Sequence, residues 1–330
     1  MRVMGKWARA AAFSAVAAAA GWLASAGPAV AEYPDHAVRV IVPFAAGGPT
    51  DVMARLIAQK LSENLKQQFY VEDHAGAGGN IGMTLAARSA PDGYTVLVAS
   101  SSFMVNPNLY ATPPYDPYKD FAPVTRAAAT PNIIVVHPSI PAKTIKELID
   151  LVKANPGKYS IANPGIGTTP QLATELLKLT YHLDATSIPF GGSGPEIQSA
   201  LAAQTPIAFS TLPPTTTQVL AGNLHGLVIT AAKRTAALPD VPTMAESGIQ
   251  GQESETMQGI LVPAGTPQAI VDLLNREIVK AMQLPDVKAK CLELGFDVVA
   301  DSPSAFAAYI KNDINKWAKV IEDGKIEKMH

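Results

Sequence analysis

The run Val40-Ile41-Val42-Pro43-Phe44-Ala45-Ala46-Gly47-Gly48-Pro49-Thr50-Asp51 constrains this chain more than any other segment. An apolar, β-branched stretch ends there in a Gly-Gly turn and passes at once into a helical pattern. Met53, Leu56, Ile57, Leu61 and Leu65 fall on one face of that helix, and Thr50 or Asp51 is placed to cap it. The turn holds no Lys or Arg. An anion seated there is held by the unpaired N–H groups of the helix N-terminus, which carry about half a positive charge. The pattern returns at Ile161-Ala162-Asn163-Pro164-Gly165-Ile166-Gly167-Thr168-Thr169-Pro170-Gln171-Leu172. Two such turns, one per lobe, can face each other across a cleft.

Short β-branched runs alternate with amphipathic stretches along most of the chain, which predicts an α/β protein of mainly parallel sheets flanked by helices. Strands are expected at 38–42, 69–71, 95–99, 133–136, 159–162, 186–188, 207–210, 227–230 and 260–262. Helices are expected near 144–154, where Thr144-Ile145-Lys146-Glu147 is a capping box, and at 168–179, 195–203, 213–221, 286–294 and 303–323. Thr266-Pro267 reads as an N-cap and first position of a further helix to about Met282. The polar segment from Ser247 to Gln258 reads as a connection. At 330 residues and 48% hydrophobic composition, two lobes are expected rather than one.

Arg2, Lys6 and Arg9 precede an uncharged, Ala-rich segment, and Ala29-Val30-Ala31 has the small-x-small form of a signal-peptidase site. The sequence predicts an exported protein that loses residues 1–31 and starts at Glu32. A membrane span needs about 20 strongly apolar residues; this segment is mostly Ala and ends in Gly21, Ser25, Gly27 and Pro28. The chain has 26 Lys and Arg against 28 Asp and Glu, with three of the basic residues in the leader. That acidic balance argues against nucleic acid as a partner. The single cysteine, Cys291, has the spacing of a buried apolar residue in a helix.

Catalytic and cofactor signatures fail on inspection. Gly76-Ala77-Gly78-Gly79-Asn80-Ile81-Gly82 precedes a helix through Ala86 and Ala87, but a dinucleotide fingerprint needs Gly at position 81, and no P-loop is present. The loop serves equally well as a tight turn with no ligand. His36, His74, His137, His182 and His225 stand singly, without the i, i+4 partner of a helical zinc site. Ser193 in Gly191-Gly192-Ser193-Gly194-Pro195 misses the nucleophile elbow because position 195 is Pro. The chain is therefore expected to have no catalytic residues, metal or cofactor. The rival reading is an exported serine hydrolase using Ser193 or Ser101. What remains are small polar groups where strands end: Ser100, Ser101 and Ser102; Thr168 and Thr169; Gly192 and Ser193; Ser210 and Thr211. Each alone suits a helix cap; together, at the carboxyl ends of strands, they suit a solute-binding cleft.

Several motifs in order along the chain resemble the Bug family, periplasmic receptors of tripartite tricarboxylate transporters. They are the 39–51 and 76–82 segments, Ala90-Pro91-Asp92-Gly93-Tyr94-Thr95, Asp120-Phe121-Ala122-Pro123-Val124, Leu238-Pro239-Asp240-Val241-Pro242-Thr243 and Pro263-Ala264-Gly265-Thr266-Pro267. The resemblance covers nearly all of the chain after residue 33. It implies a two-lobed periplasmic-binding-protein fold, type II-like, acting as a monomer that closes on a small carboxylate and hands it to a membrane permease; a receptor feeding a sensor kinase is the alternative. It divides the chain into 32–131 with 255–330, and 132–254. It also implies ligand contacts from Phe44, Gly47, Gly48, Pro49, Thr50 and Asp51 in one lobe, facing Gly165, Ile166, Gly167, Thr168, Thr169 and Gln171 in the other, with Gly78 and Asn80 nearby.

Three departures from the family pattern bear on specificity. Gln171 stands where His is frequent, Met257 where Trp is frequent, and no Asp lies near Ser210. Loss of an aromatic ring and an acid predicts a roomier, less polar pocket, suited to a dicarboxylate with an apolar or aromatic body rather than to an amino acid.

Overall fold

The computed structural model describes residues 33–323 and 328–329. The expected leader, residues 1–31, lies outside them. The described residues from His36 onward form one compact unit.

The opening segment folds as β1 (Val38–Val42), α1 (Pro49–Leu65) and β2 (Phe69–Asp73). The third glycine loop becomes a single 3-10 turn leading into α2 (Asn80–Ala87), followed by β3 (Thr95–Ala99) and α3 (Ser102–Leu109). A 16-residue strand, β4 (Phe121–Val136), then enters the second lobe, which contains α4 (Ile145–Lys153), β5 (Ser160–Asn163), α5 (Thr169–Tyr181), β6 (Thr186–Pro189), α6 (Ser193–Leu201), β7 (Ile207–Thr211), α7 (Leu212–Leu220) and β8 (His225–Ile229). The return is β9 (Glu255–Pro263), followed by α8 (Gln268–Met282), α9 (Pro285–Leu294), β10 (Asp297–Val298) and α10 (Pro303–Asp323).

Strand order is β2-β1-β3-β9-β4-β7-β5-β6, with β8 and β10 also pairing β4. The outer pairs are parallel, as the alternating pattern requires, whereas β4 and β9 run antiparallel to their neighbours. Of the two, β4 changes partners midway, while β9 lies between β3 and β4. From Phe121 to Pro131, β4 pairs with β9; from Asn132 to Val136 it pairs with β7 and β8. Each half of β4 serves a different core. The first lobe packs Phe103, Tyr115, Phe121, Leu261 and Phe306 together. The second builds separate clusters on its two sheet faces, around Ile134, Leu148 and Phe209 and around Ile133, Ala162 and Leu212.

Where the structure departs from the expected elements, tertiary pairing overrides local pattern. The first half of β4, with Pro123 and a run of alanines, and the polar start of β9 lack the β-branched alternation of an isolated strand, yet they pair with each other across two register shifts, at Pro123/Thr125 and Arg126/Ala128. Helix α3 ends around Pro107, which masks its period. Thr144 caps its helix as expected, with the Glu147 N–H donating to Thr144 Oγ1 at 3.2 Å, while the Glu147 carboxylate accepts from the Lys143 N–H at 2.6 Å in place of the N-cap N–H of a full capping box. Thr266 instead donates its hydroxyl to Pro263 O at 2.7 Å, and Pro267 takes the cap position. Cys291 is buried, and burial pushes its thiol up to about 11.

Gly259 marks the tightest point of the first core. A Cβ there meets the Phe306 ring and lies 2.8 Å from Met257 Sδ. Gly259→Ala is expected to cost about 1–3 kcal/mol in urea unfolding, and an unchanged midpoint would contradict this packing.

Candidate functional site: a hydroxyl-lined cavity at four helix N-termini

The two sequence echoes adopt one local architecture. In the first, Gly47 has φ of 85° and its N–H donates to Asp51 Oδ2 at 2.8 Å. In the second, Gly167 has φ of 77° and its N–H donates to Gln171 Oε1 at 3.2 Å. In both, the third helical residue reaches back four positions and braces a left-handed glycine turn, a relative of the capping box. Asp51 is also paired with Arg55 Nε at 2.6 Å. Asp51 and Gln171 thus shape their turns, and neither is a wall of the cavity described next.

That cavity encloses about 330 Å³ of atom-free space, its open mouth included. Phe44, Gly48, Pro49, Thr50 and Ser100 wall it from the first lobe, and Pro164, Thr168, Pro170, Ser193 and Thr211 from the second; Thr256 at the start of β9 completes it. The starts of α1, α5, α6 and α7 therefore meet at one place. None of these four helices has a side-chain hydrogen bond from its cap residue. Prolines at positions 49, 170, 195, 213 and 214 remove N–H groups from the first turns and leave few donors at each. No charged side chain lines the cavity. The first turns of α5 and α7 hold no acid, so the partial positive charge at these two starts suits an anion, whereas Asp51 and Glu196 stand in the first turns of α1 and α6.

A second space, about 590 Å³, lies beside the first and is walled by Gly76, Ala77, Gly78 and Gly79, by Pro164, Gly165 and Ile166, and by Pro189, Phe190 and Gly191. Phe44 and Pro164 border both spaces, so they form the partition between them. Of the remaining expected site residues, Asn80 is held by Asn106 Nδ2 at 2.7 Å. The Ser101 hydroxyl accepts from the Met257 N–H, and Ser102 bonds Ser100. Thr169 bonds Thr256 at 2.6 Å, which ties α5 to the crossing strand. Gly192 packs against Ala45. Met257 packs in the first-lobe core, away from the cavity.

The lobes touch along glycines. The Ala45 N–H donates to Gly191 O at 2.9 Å. A Cβ on Gly194 meets Ala46 O, one on Gly78 meets Ile166 O, and one on Gly167 meets Asn106 Oδ1. These glycines allow backbone to approach backbone across the seam, and the arrangement is a closed one.

Sequence reasoning missed Thr256, which sits in the segment read as a connection, and Glu196. The Glu196 carboxyl is fully buried and accepts from Ser210 Oγ at 2.8 Å. The expected loss of an acid near Ser210 is thus offset by an acid from α6, one helical turn beyond Ser193. Burial pushes this carboxyl well above its ordinary 4.5, with the Ser210 hydrogen bond opposing weakly.

Two α/β lobes joined by crossing strands, with helix N-termini at the seam, define a periplasmic binding protein. The receptor profile of the tripartite tricarboxylate transporter family, TctC, matches residues 53–326, and the chain belongs to that family. It is 35% identical over 293 residues to BugT of Bordetella pertussis, covering 88% of this chain and 90% of BugT. Among solved structures it is similar to R. palustris Rpa4515 with adipate, at 31% identity and a TM-score of 0.87, covering 90% of this chain and 100% of that one. MatC from Rhodopseudomonas palustris, with bound malate, has 31% identity and a TM-score of 0.83 over 88% of this chain and 100% of MatC. The chain is a solute-binding receptor of a periplasmic family, not an enzyme.

The folded chain keeps a proton on Glu196 that the unfolded chain releases. The stability this carboxyl contributes is full below about pH 4.5 and is lost as pH rises toward its folded value. Glu196→Gln removes the dependence, so the variant should gain on the parent by up to about 1.4 kcal/mol per pH unit over the affected range. Urea unfolding between about pH 4 and 8 measures it, and a difference that does not vary with pH contradicts the buried neutral acid.

Proposed function

We propose that this receptor captures a small dicarboxylate with an apolar body between its lobes and delivers it, as a monomer, to a tripartite tricarboxylate permease. The observation that carries the reading is the meeting of four helix N-termini, without side-chain caps, around a cavity with six hydroxyls and no charged side chain. Such a site favours carboxylate oxygens and offers no carboxylate partner for an ammonium group at its walls. The relatives with adipate and malate are consistent with it.

The ligand-contact roles of the wall residues belong to this proposal, as does the division of the lobes at Pro131/Asn132 and Ser254/Glu255. The change of pairing partner along β4 at that point supports a hinge there. A ligand bridging the two jaws stabilises the closed state and leaves the open one unaffected.

Thermal-shift screening tests the ligand class. Aliphatic or aromatic dicarboxylates should raise the melting temperature, with about 2.7 kcal/mol of stabilisation at a hundredfold excess over Kd; stabilisation by aspartate or glutamate alone would sink the reading. Gly194→Ala tests closure. The added methyl meets Ala46 O only when the lobes are shut, so affinity should fall at least about tenfold while unliganded stability stays within about 0.5 kcal/mol. Unchanged affinity would contradict closure on these glycines.

A further inference from the structure

Gln258 on β9 is fully buried, and neither its side-chain nitrogen nor its side-chain oxygen meets a hydrogen-bond partner in the chain. Buried polar groups are paired in the great majority of cases, because an unpaired one loses its hydration with nothing in return. Other buried amides of this chain are at least half committed: Asn106 Nδ2 bonds Gly78 O and Asn80, and Gln252 Nε2 bonds Thr180.

The position of Gln258 points to its partner. Side chains alternate along a strand, so Gln258 shares a face with Thr256, a wall of the cavity, and is turned away from Met257 in the first-lobe core. On the neighbouring strand, the antiparallel register sets Ala99 across from Gly259. One step further sets Ser100, another wall of the cavity, across from Gln258. The uncommitted amide is not itself a wall of the cavity; it lies buried directly behind that wall, next to two of the hydroxyls that line it.

We propose that the Gln258 amide is the group that selects diacids over monoacids, donating its N–H to the carboxylate at the far end of the ligand, directly or through one ordered water. A neutral amide can do this in a site without charged walls, at no cost in burying an unpaired ion. An acid whose far end is a methyl group leaves the amide unpaired and gains nothing from it. The proposal rests on the reading of the cavity as a carboxylate site.

Calorimetric titration of the parent, Gln258→Leu and Gln258→Met with succinate and adipate, each beside butyrate or hexanoate of equal length, tests both. The parent should prefer the diacid, and both variants should lose at least about tenfold in diacid affinity, keep their monoacid affinity, and melt higher than the parent without ligand. A diacid preference that survives in the variants, or a parent that prefers the monoacid, overturns the role of Gln258 alone. A parent that binds none of the four acids defeats the carboxylate reading itself. Variants that lose their fold by circular dichroism assign the amide to structure and overturn the proposal as well.

Discussion

The field of helix N-termini that carry no side-chain caps is the interaction on which the site depends. A helix start normally satisfies its first N–H groups with a cap side chain or water. Here Gly48 and Gly192 have no side chain to offer, and Thr168 and Thr211 do not bond back. All four starts face one cavity, so the cost of leaving these donors open is concentrated where a ligand can remove it. The fields of two helices from different lobes add only when the lobes are together. In the proposed function, ligand binding and closure are therefore thermodynamically linked.

Positioning those starts is the work of the sheets. Each lobe orders its strands so that their carboxyl ends, with the helices that follow them, lie along the seam. β4 and β9 tie the lobes together, and the Asn132 side chain sits where they cross. It accepts from Thr256 Oγ1 at 2.9 Å and donates to Ser254 Oγ at 2.9 Å. Thr256 also walls the cavity and bonds Thr169 of α5. A buried hydroxyl and amide network thus connects the ligand site to the crossing.

Much of this was legible in the sequence because it is local. The strand-turn-helix units at 40–65 and 161–179 were readable from β-branched runs, paired glycines and helical period, and their likeness extends to the back-bond from Asp51 to Gly47 and from Gln171 to Gly167. What stayed hidden depends on long-range pairing. The start of β9 reads as a polar connection, so Thr256 and Gln258 were passed over. Glu196 reads as an ordinary helix-start acid, and only tertiary packing buries it against Ser210. The family pattern implies ligand contacts from Gln171 and Met257; in the structure Gln171 braces a turn and Met257 packs in the first-lobe core.

The most direct test of backbone recognition is an amide NMR titration with a dicarboxylate that the receptor binds. The N–H groups of Thr50, Thr169, Gly194 and Leu212, one from the first turn of each converging helix, should shift downfield together as the ligand saturates. Saturation with those four amides unmoved would mean that the carboxylates are held elsewhere, and would contradict the account.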